Sequence, residues 1–218
     1  LFPNDETGQQ IAVDLEKAYT KAGAQLNAKE FFERERVDMM PLLTRIMARG
    51  VDAIELDGNA PATAGLIVKQ ARELGFKGHS IRSGGPATTE IVNVAGMQST
   101  EGMLVNTPIN PGNEAVKKYS ERYFAKHNKK MNGFSPAFYD GTNMLFQAIT
   151  KAGTATDSEK VRIALESVKS YKGILGDLTW TGKDVYGSNH QINAPFYIAR
   201  VKNGQEVIES TCTLAACQ

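Results

Sequence analysis

The sequence predicts an α/β protein built around a parallel, doubly wound sheet. Between residues 51 and 108, apolar runs of strand length alternate with stretches of helical apolar spacing: strand, loop, helix, strand, loop, helix, strand. Such alternation requires right-handed crossovers, and these build a parallel sheet. The loops at 57–61 and 82–86 each follow a strand-like run, so they fall at carboxyl ends of strands, where open parallel sheets bind ligands. These two loops are the candidate site.

In chain order, Leu1 and Phe2 read as the tail of a strand running into a helix capped by Asp5 or Thr7, with Ile11, Leu15, Ala18 and Tyr19 along it and Gly23 at its end. So short a remnant suggests that the chain begins in the middle of a larger unit. Residues 24–33 carry a strand, and Glu33-Arg34-Glu35-Arg36 a solvated loop. Residues 39–49 form a helix striped by Leu42, Leu43, Ile46 and Met47, its methionines filling core, and Gly50 closes it. The run 51–56 is a strand ended by Gly58-Asn59-Ala60-Pro61. Residues 62–74 are helical, with Leu66, Ile67, Ala71 and Leu74 on one side and Gly75 beyond the end. A short strand at 79–81 leads into Arg82-Ser83-Gly84-Gly85-Pro86.

After Pro108 the pattern changes. Ile109-Asn110-Pro111-Gly112 is a turn or linker, followed by helical patterns at 113–127, 135–152 and 157–168 with no strand between them. Either this half is a helical bundle or its sheet lies on another piece of chain. Strands at 175–180, 194–202 and 206–209 close the sequence, the last two joined by Asn203-Gly204, a strong hairpin signal.

The chain has 218 residues, 41% hydrophobic and 22% charged, with a net charge of +1. This is ordinary for a globular protein and gives no reason to expect nucleic acid or an anionic membrane as partner. No apolar run approaches the roughly 20 residues that span a bilayer. The start of the chain has no secretory-leader pattern, which a mature chain would have lost. Cys212 and Cys217 are either a disulfide formed in an oxidising compartment or two unrelated thiols. Two thiols fall short of the four ligands of a zinc site, so no metal is expected.

Catalytic patterns fail on inspection. Gly78-His79-Ser80-Ile81-Arg82 starts like a nucleophile elbow but has Arg82 where glycine is needed. No glycine-rich dinucleotide motif follows a strand and no phosphate-loop lysine motif occurs, so no cofactor is expected. His79, His127 and His190 are dispersed. Glu55 and Asp57 share a strand face, weak support for acid–base work. Gly84-Gly85 is either a tight turn or a pair of N–H donors for an anion. Arg82 is the sharpest single residue: either a bidentate partner for a planar carboxylate or a structural ion-pair arginine. Trp180 and Tyr197 read as core aromatics.

Taken together, several motifs resemble a known family. They are Asn4-Asp5-x-x-Gly8 before a helix, Asp52-x-Ile54 with Pro61, Lys69-Gln70-Ala71-x-x-x-Gly75, Ala95-Gly96, Glu101-Gly102-Met103-Leu104-Val105, Phe138-Tyr139-Asp140-Gly141 and Gly176-Asp177-Leu178-Thr179-Trp180. In order and spacing the chain is similar to the C-terminal portion of periplasmic solute-binding proteins of the branched-chain amino-acid (Leu/Ile/Val-binding) type, which serve ABC importers. The resemblance implies the type I periplasmic binding protein fold, in which two α/β lobes close on a small ligand. Residues 1–105 would form most of the second lobe. Residues 106–187 would return to the first lobe, whose N-terminal part is absent, and 188–218 would cross back and carry the cysteines. The helices without strands would then belong to a sheet encoded upstream.

By position, the resemblance places ligand contacts at Thr7, at Asn59, Ala60 and Pro61, and at Arg82, Ser83, Gly84 and Gly85, with Phe134 contributed by the returning lobe. Amino-acid binders of this type place a carboxylate around Gly84 to hold the ligand's ammonium group. This loop has none and suits an anion, so a carboxylate such as an aromatic or short aliphatic acid is the favoured ligand over an α-amino acid. The implied partners are the importer's membrane subunits and the missing N-terminal half. The implied location is the periplasm, or the cell surface by a lipid anchor in a Gram-positive organism. A ligand-sensing domain of the same fold is the alternative, and a small hydrolase or transferase using Asp57 and Arg82 is a third reading.

Overall fold

The computed structural model describes residues 1–214 and 216–218. In chain order the elements are β1 (Phe2–Pro3), α1 (Glu6–Lys21), β2 (Phe31–Phe32), α2 (Met40–Met47), β3 (Ala53–Glu55), α3 (Pro61–Glu73), β4 (His79–Arg82), α4 (Thr88–Ala95), α5 (Met97–Thr100) and β5 (Leu104–Thr107). They continue with α6 (Glu114–His127), α7 (Ser135–Ala152), α8 (Ser158–Glu166), β6 (Tyr171–Gly173), β7 (Gly176–Thr181), α9 (Lys183–Tyr186), β8 (Gln191–Asn193), β9 (Phe196–Lys202) and β10 (Gln205–Cys212). Two compact units result: Leu1–Asn106 with Ala199–Glu209, and Thr107–Ile198 with Ser210–Gln218.

The first unit is the predicted α/β layer. β3 pairs with β4 and β4 with β5, all parallel, in a sheet ordered β10-β9-β5-β4-β3. Its core is one contiguous set that includes Met39, Leu42 and Leu43 at α2, Ile54 and Leu56 at β3, Ile67 and Ala71 from α3, and Ala199 and Val201 from β9. Local chemistry sets the helix starts. The Asp5 carboxylate accepts from the Gly8 N–H at 2.8 Å and caps α1. Gly8 itself is required by close packing, since a Cβ there would fall 2.1 Å from the Pro3 carbonyl oxygen. Pro61 opens α3, where its missing N–H costs nothing.

Two expectations need correction here. The strand expected over 24–33 shrinks to Phe31–Phe32, and it pairs only with β1, in a separate two-stranded parallel sheet. The strand expected at 206–209 runs from Gln205 to Cys212. The Asn203-Gly204 turn is present, with φ of 51° and 72°, the positive pair that a tight hairpin demands.

The second unit holds α6, α7 and α8 in the regions predicted as helical, followed by an antiparallel sheet ordered β6-β7-β8. β6 and β8 were not legible in the sequence. Asp140, almost fully buried, accepts from the N–H groups of Ile174 and Leu175 at 3.0 Å each and so holds the β6–β7 turn against α7. Trp180 is half-buried and donates its indole N–H to the Leu165 carbonyl at 3.1 Å, while Tyr197 is buried. Cys212 and Cys217 form a disulfide, which decides between the two readings left open. No helix among the described residues is long and apolar enough to cross a membrane.

Candidate functional site

The loops after β3 and β4 stand side by side because those strands are in register, with Glu55 opposite Ile81. Arg82, the last residue of β4, is only 7% exposed and turns its guanidinium inward. Its Nη1 donates to the carbonyls of Leu56 at 3.3 Å and Asn59 at 3.1 Å, and its Nε donates to that of Gly85 at 3.3 Å. One cation therefore ties the 57–61 loop to the 83–85 loop. Burial pulls the Arg82 pKa down from its ordinary value, and the nearby carboxylates of Asp57, Glu55 and Glu90 oppose that pull.

Asn59 is equally committed. Its Nδ2 donates to the carbonyls of Leu1 at 2.9 Å and Leu56 at 3.0 Å, and its buried Oδ1 has no protein partner. Arg82 and the Asn59 amide, expected as ligand donors, both also hold the loops in shape through these bonds. Such donors are spent on carbonyls because a loop packed against a sheet end must satisfy its own backbone first.

The other predicted residues fall as follows. Thr7 is exposed on the first turn of α1, and Ala60 is exposed immediately before α3, with Pro61 half-buried beside it. Ser83 donates its N–H to Glu55 Oε1 at 3.2 Å, and its buried hydroxyl lacks a partner. Gly84 and Gly85 are partly exposed, Gly85 with φ of 66°. Phe134 lies in the second unit, 45% exposed just ahead of α7, its ring 6.4 Å from that of Phe138.

The Gly84 loop carries no acid of its own, as expected, but an acid from another segment lies beside it. A Cβ at Gly84 would fall 2.0 Å from Asp57 Oδ1, so the Asp57 carboxylate lies directly under the loop. Glu55 collects the N–H groups of Leu56, Asp57 and Ser83 on Oε1, and the Tyr19 hydroxyl on Oε2 at 2.5 Å. Burial and the Glu55 charge raise the Tyr19 pKa, keeping it a donor. The loop's acids come from β3 and not from the loop. Sequence reasoning noted that Glu55 and Asp57 share a face but missed Tyr19, which only the fold of α1 over the sheet brings in. The Ser83 N–H is taken by Glu55, and the carboxylates of Glu55 and Asp57 both lie near Arg82.

A cavity of about 450 Å³ also opens in the first unit, between residues 24–28, residues 50–55 and α1. None of the predicted site residues lines it. Among the described residues no group of three or more His, Cys, Asp or Glu side chains could hold a metal ion.

Carboxyl-end loops of a parallel sheet, braced here by a buried arginine and two carboxylates, are where proteins of the open α/β class bind ligands. The particular family follows from comparison: the periplasmic binding protein family profile matches residues 1–206, and the chain belongs to that family. It is 27% identical over 181 residues to Leu/Ile/Val-binding protein homolog 1 of Brucella suis, covering 81% of this chain and 47% of that protein. It is 28% identical over 171 residues to the leucine-, isoleucine-, valine-, threonine- and alanine-binding protein of Pseudomonas aeruginosa, covering 77% of this chain and 44% of that one. Among solved structures, a leucine-binding protein, LivK, of Thermotoga maritima superposes with a TM-score of 0.82 at 26% identity, over 97% of this chain and 58% of that one. The fold is that of the type I periplasmic binding proteins, and the chain resembles the branched-chain amino-acid-binding members. It spans about half the length of the relatives it matches.

Proposed function

We propose that this chain is part of the solute-binding component of an ABC importer, working outside the cytoplasm, and that its ligand is a small apolar α-amino acid. The observation that carries this reading is the pair of carboxylates, Glu55 and Asp57, standing behind the 83–85 loop while Arg82 directs its Nε and Nη1 donors to backbone carbonyls. A wall so charged favours the ammonium end of a ligand and opposes a bare acid. The names of the similar proteins point to the same chemical class. The residues proposed to meet the ligand are Thr7, the 59–61 backbone and 83–85, with Arg82 and Glu55 holding that wall in place and Phe134 contributed from the second unit. Capture occurs by closing of lobes, and the importer's membrane subunits read the closed form. Neither Asp57 nor Arg82 is assigned a catalytic step, because the first lies packed under Gly84 and the second is buried and bonded to three backbone carbonyls.

Equilibrium dialysis of the full-length protein against labelled leucine, isoleucine, valine and benzoate tests the proposal. Retention of one or more of the aliphatic amino acids is expected. Retention of benzoate alone would overturn it.

A further inference from the structure

The loop after β4 is not held by its own backbone. Among the described residues, Ser83, Gly84, Gly85 and Pro86 make no backbone-to-backbone hydrogen bond. The β4–β5 ladder stops just before them, its last pairs being Ile81 with Leu104 and Arg82 with Val105. A loop in that state takes its shape from the side chains that reach it. Two of these are Glu55, which accepts from the Ser83 N–H, and Arg82, which donates to the Gly85 carbonyl. Two more come from remote segments: Asn106 and Glu206.

Asn106 carries the pairing one step beyond the ladder. It follows Val105 on β5, and its Nδ2 donates to the Ser83 carbonyl at 3.1 Å. No peptide bond in the chain is cis, so the Ser83 carbonyl and the Gly84 N–H point to opposite sides of one plane. Holding the carbonyl therefore also sets the direction of the Gly84 N–H.

Glu206 acts at the other end of the loop. Thr88, the first residue of α4, is 6% exposed and donates its hydroxyl to Glu206 Oε1 at 2.6 Å. Ala87 gives α4 no side-chain cap, so a carboxylate from 118 residues away stands at its first turn, where the helix dipole favours negative charge. The hairpin that carries Glu206 is itself seated. The Asn203 N–H donates to Glu101 Oε2 at 2.9 Å, and a Cβ at Gly204 would fall 3.1 Å from Met97 Cγ on α5. Both residues also adjoin points where the chain leaves the first unit. Asn106 is the last residue before the second unit begins, and Glu206 lies in the Ala199–Glu209 segment, with second-unit residues on either side.

We propose that Asn106 and Glu206 are positioning residues of the ligand wall: they fix the 83–87 loop at its two ends and so set the affinity for a ligand that neither of them touches. This rests on the reading of that loop as part of the wall. Asn106 and Glu206 are half-buried, and their bonds shape a partly exposed loop and not the core. Their loss should therefore fall on binding and leave stability in place.

Calorimetric titration of the full-length protein with leucine, beside amide exchange and the thermal midpoint of the ligand-free protein, tests this. Asn106→Ala and Glu206→Ala are each expected to weaken leucine binding about fivefold, the size of one lost hydrogen bond. Each should also speed exchange at the Ser83 amide, while exchange at Ile67 and the thermal midpoint stay at wild-type values. Asn106→Asp keeps the shape but cannot donate, so it should match Asn106→Ala. Glu206→Gln keeps an acceptor and should recover most of the affinity lost in Glu206→Ala. Unchanged Ser83 exchange in both alanine variants would overturn the proposal. So would an unchanged leucine affinity, or one that falls only in step with the thermal midpoint. If the wild-type protein binds benzoate and no aliphatic amino acid, the proposed ligand class fails by itself, and the same variants titrated with benzoate decide this proposal by the same outcomes.

Discussion

The two units differ in how much of their apolar surface they cover for themselves. The first packs helices against its sheet around a continuous core, from Met39 and Leu43 through Ile67 to Val201. The second buries a small cluster of Ala148, Val161 and Ala164, while α7 leaves Phe138 at 74% and Phe146 at 59% exposure. A helix with aromatic residues on an uncovered face draws little stability from them, because the hydrophobic gain needs area removed from water. Single substitutions should therefore act very differently in the two units, although both carry ordinary helices of similar composition.

The largest effect is expected in the first unit. Ile67→Ala removes a fully buried side chain and should lower stability by about 3 kcal/mol in urea unfolding, against less than about 0.5 kcal/mol for Phe146→Ala. Equal costs would erase the contrast between the units. Next comes Arg82→Met, which strands the carbonyls of Leu56, Asn59 and Gly85; about 2–3 kcal/mol of stability should go with it. If stability is kept and only ligand affinity falls, Arg82 is a ligand contact after all. Asp140→Asn, in the second unit, leaves one of two buried N–H groups without its carboxylate oxygen and should cost about 1–2 kcal/mol. The smallest change concerns the exposed face itself: Phe138→Ser with Phe146→Ser should leave the unfolding midpoint in place while abolishing binding of a hydrophobic dye by the isolated chain. Persistent dye binding would move the exposed surface elsewhere.

These contrasts also show what the sequence could reveal. Helical and strand periods gave the parallel layer 51–108 and the three successive helices, because each of those segments buries a regular face. The short strands Tyr171–Gly173 and Gln191–Asn193 have no apolar alternation and exist only because they pair with β7. Arg82 was visible as a special residue, yet nothing in its local pattern says that three carbonyls from two loops converge on it. The acid beside Gly84 was missed for a similar reason. It lies on β3, and only the β3–β4 register brings Glu55 and Asp57 to the next loop. The residue types were legible; the partners, set by register, were not.

The account stands on a wall charged to receive an amine. Calorimetric titration of the full-length protein with leucine and with 4-methylpentanoate, the same skeleton without its amine, tests it most directly. Leucine should bind at least tenfold more tightly, a difference of about 1.4 kcal/mol or more, and Asp57→Asn should shrink that margin. Equal affinity for the two compounds, unaffected by Asp57→Asn, would contradict it.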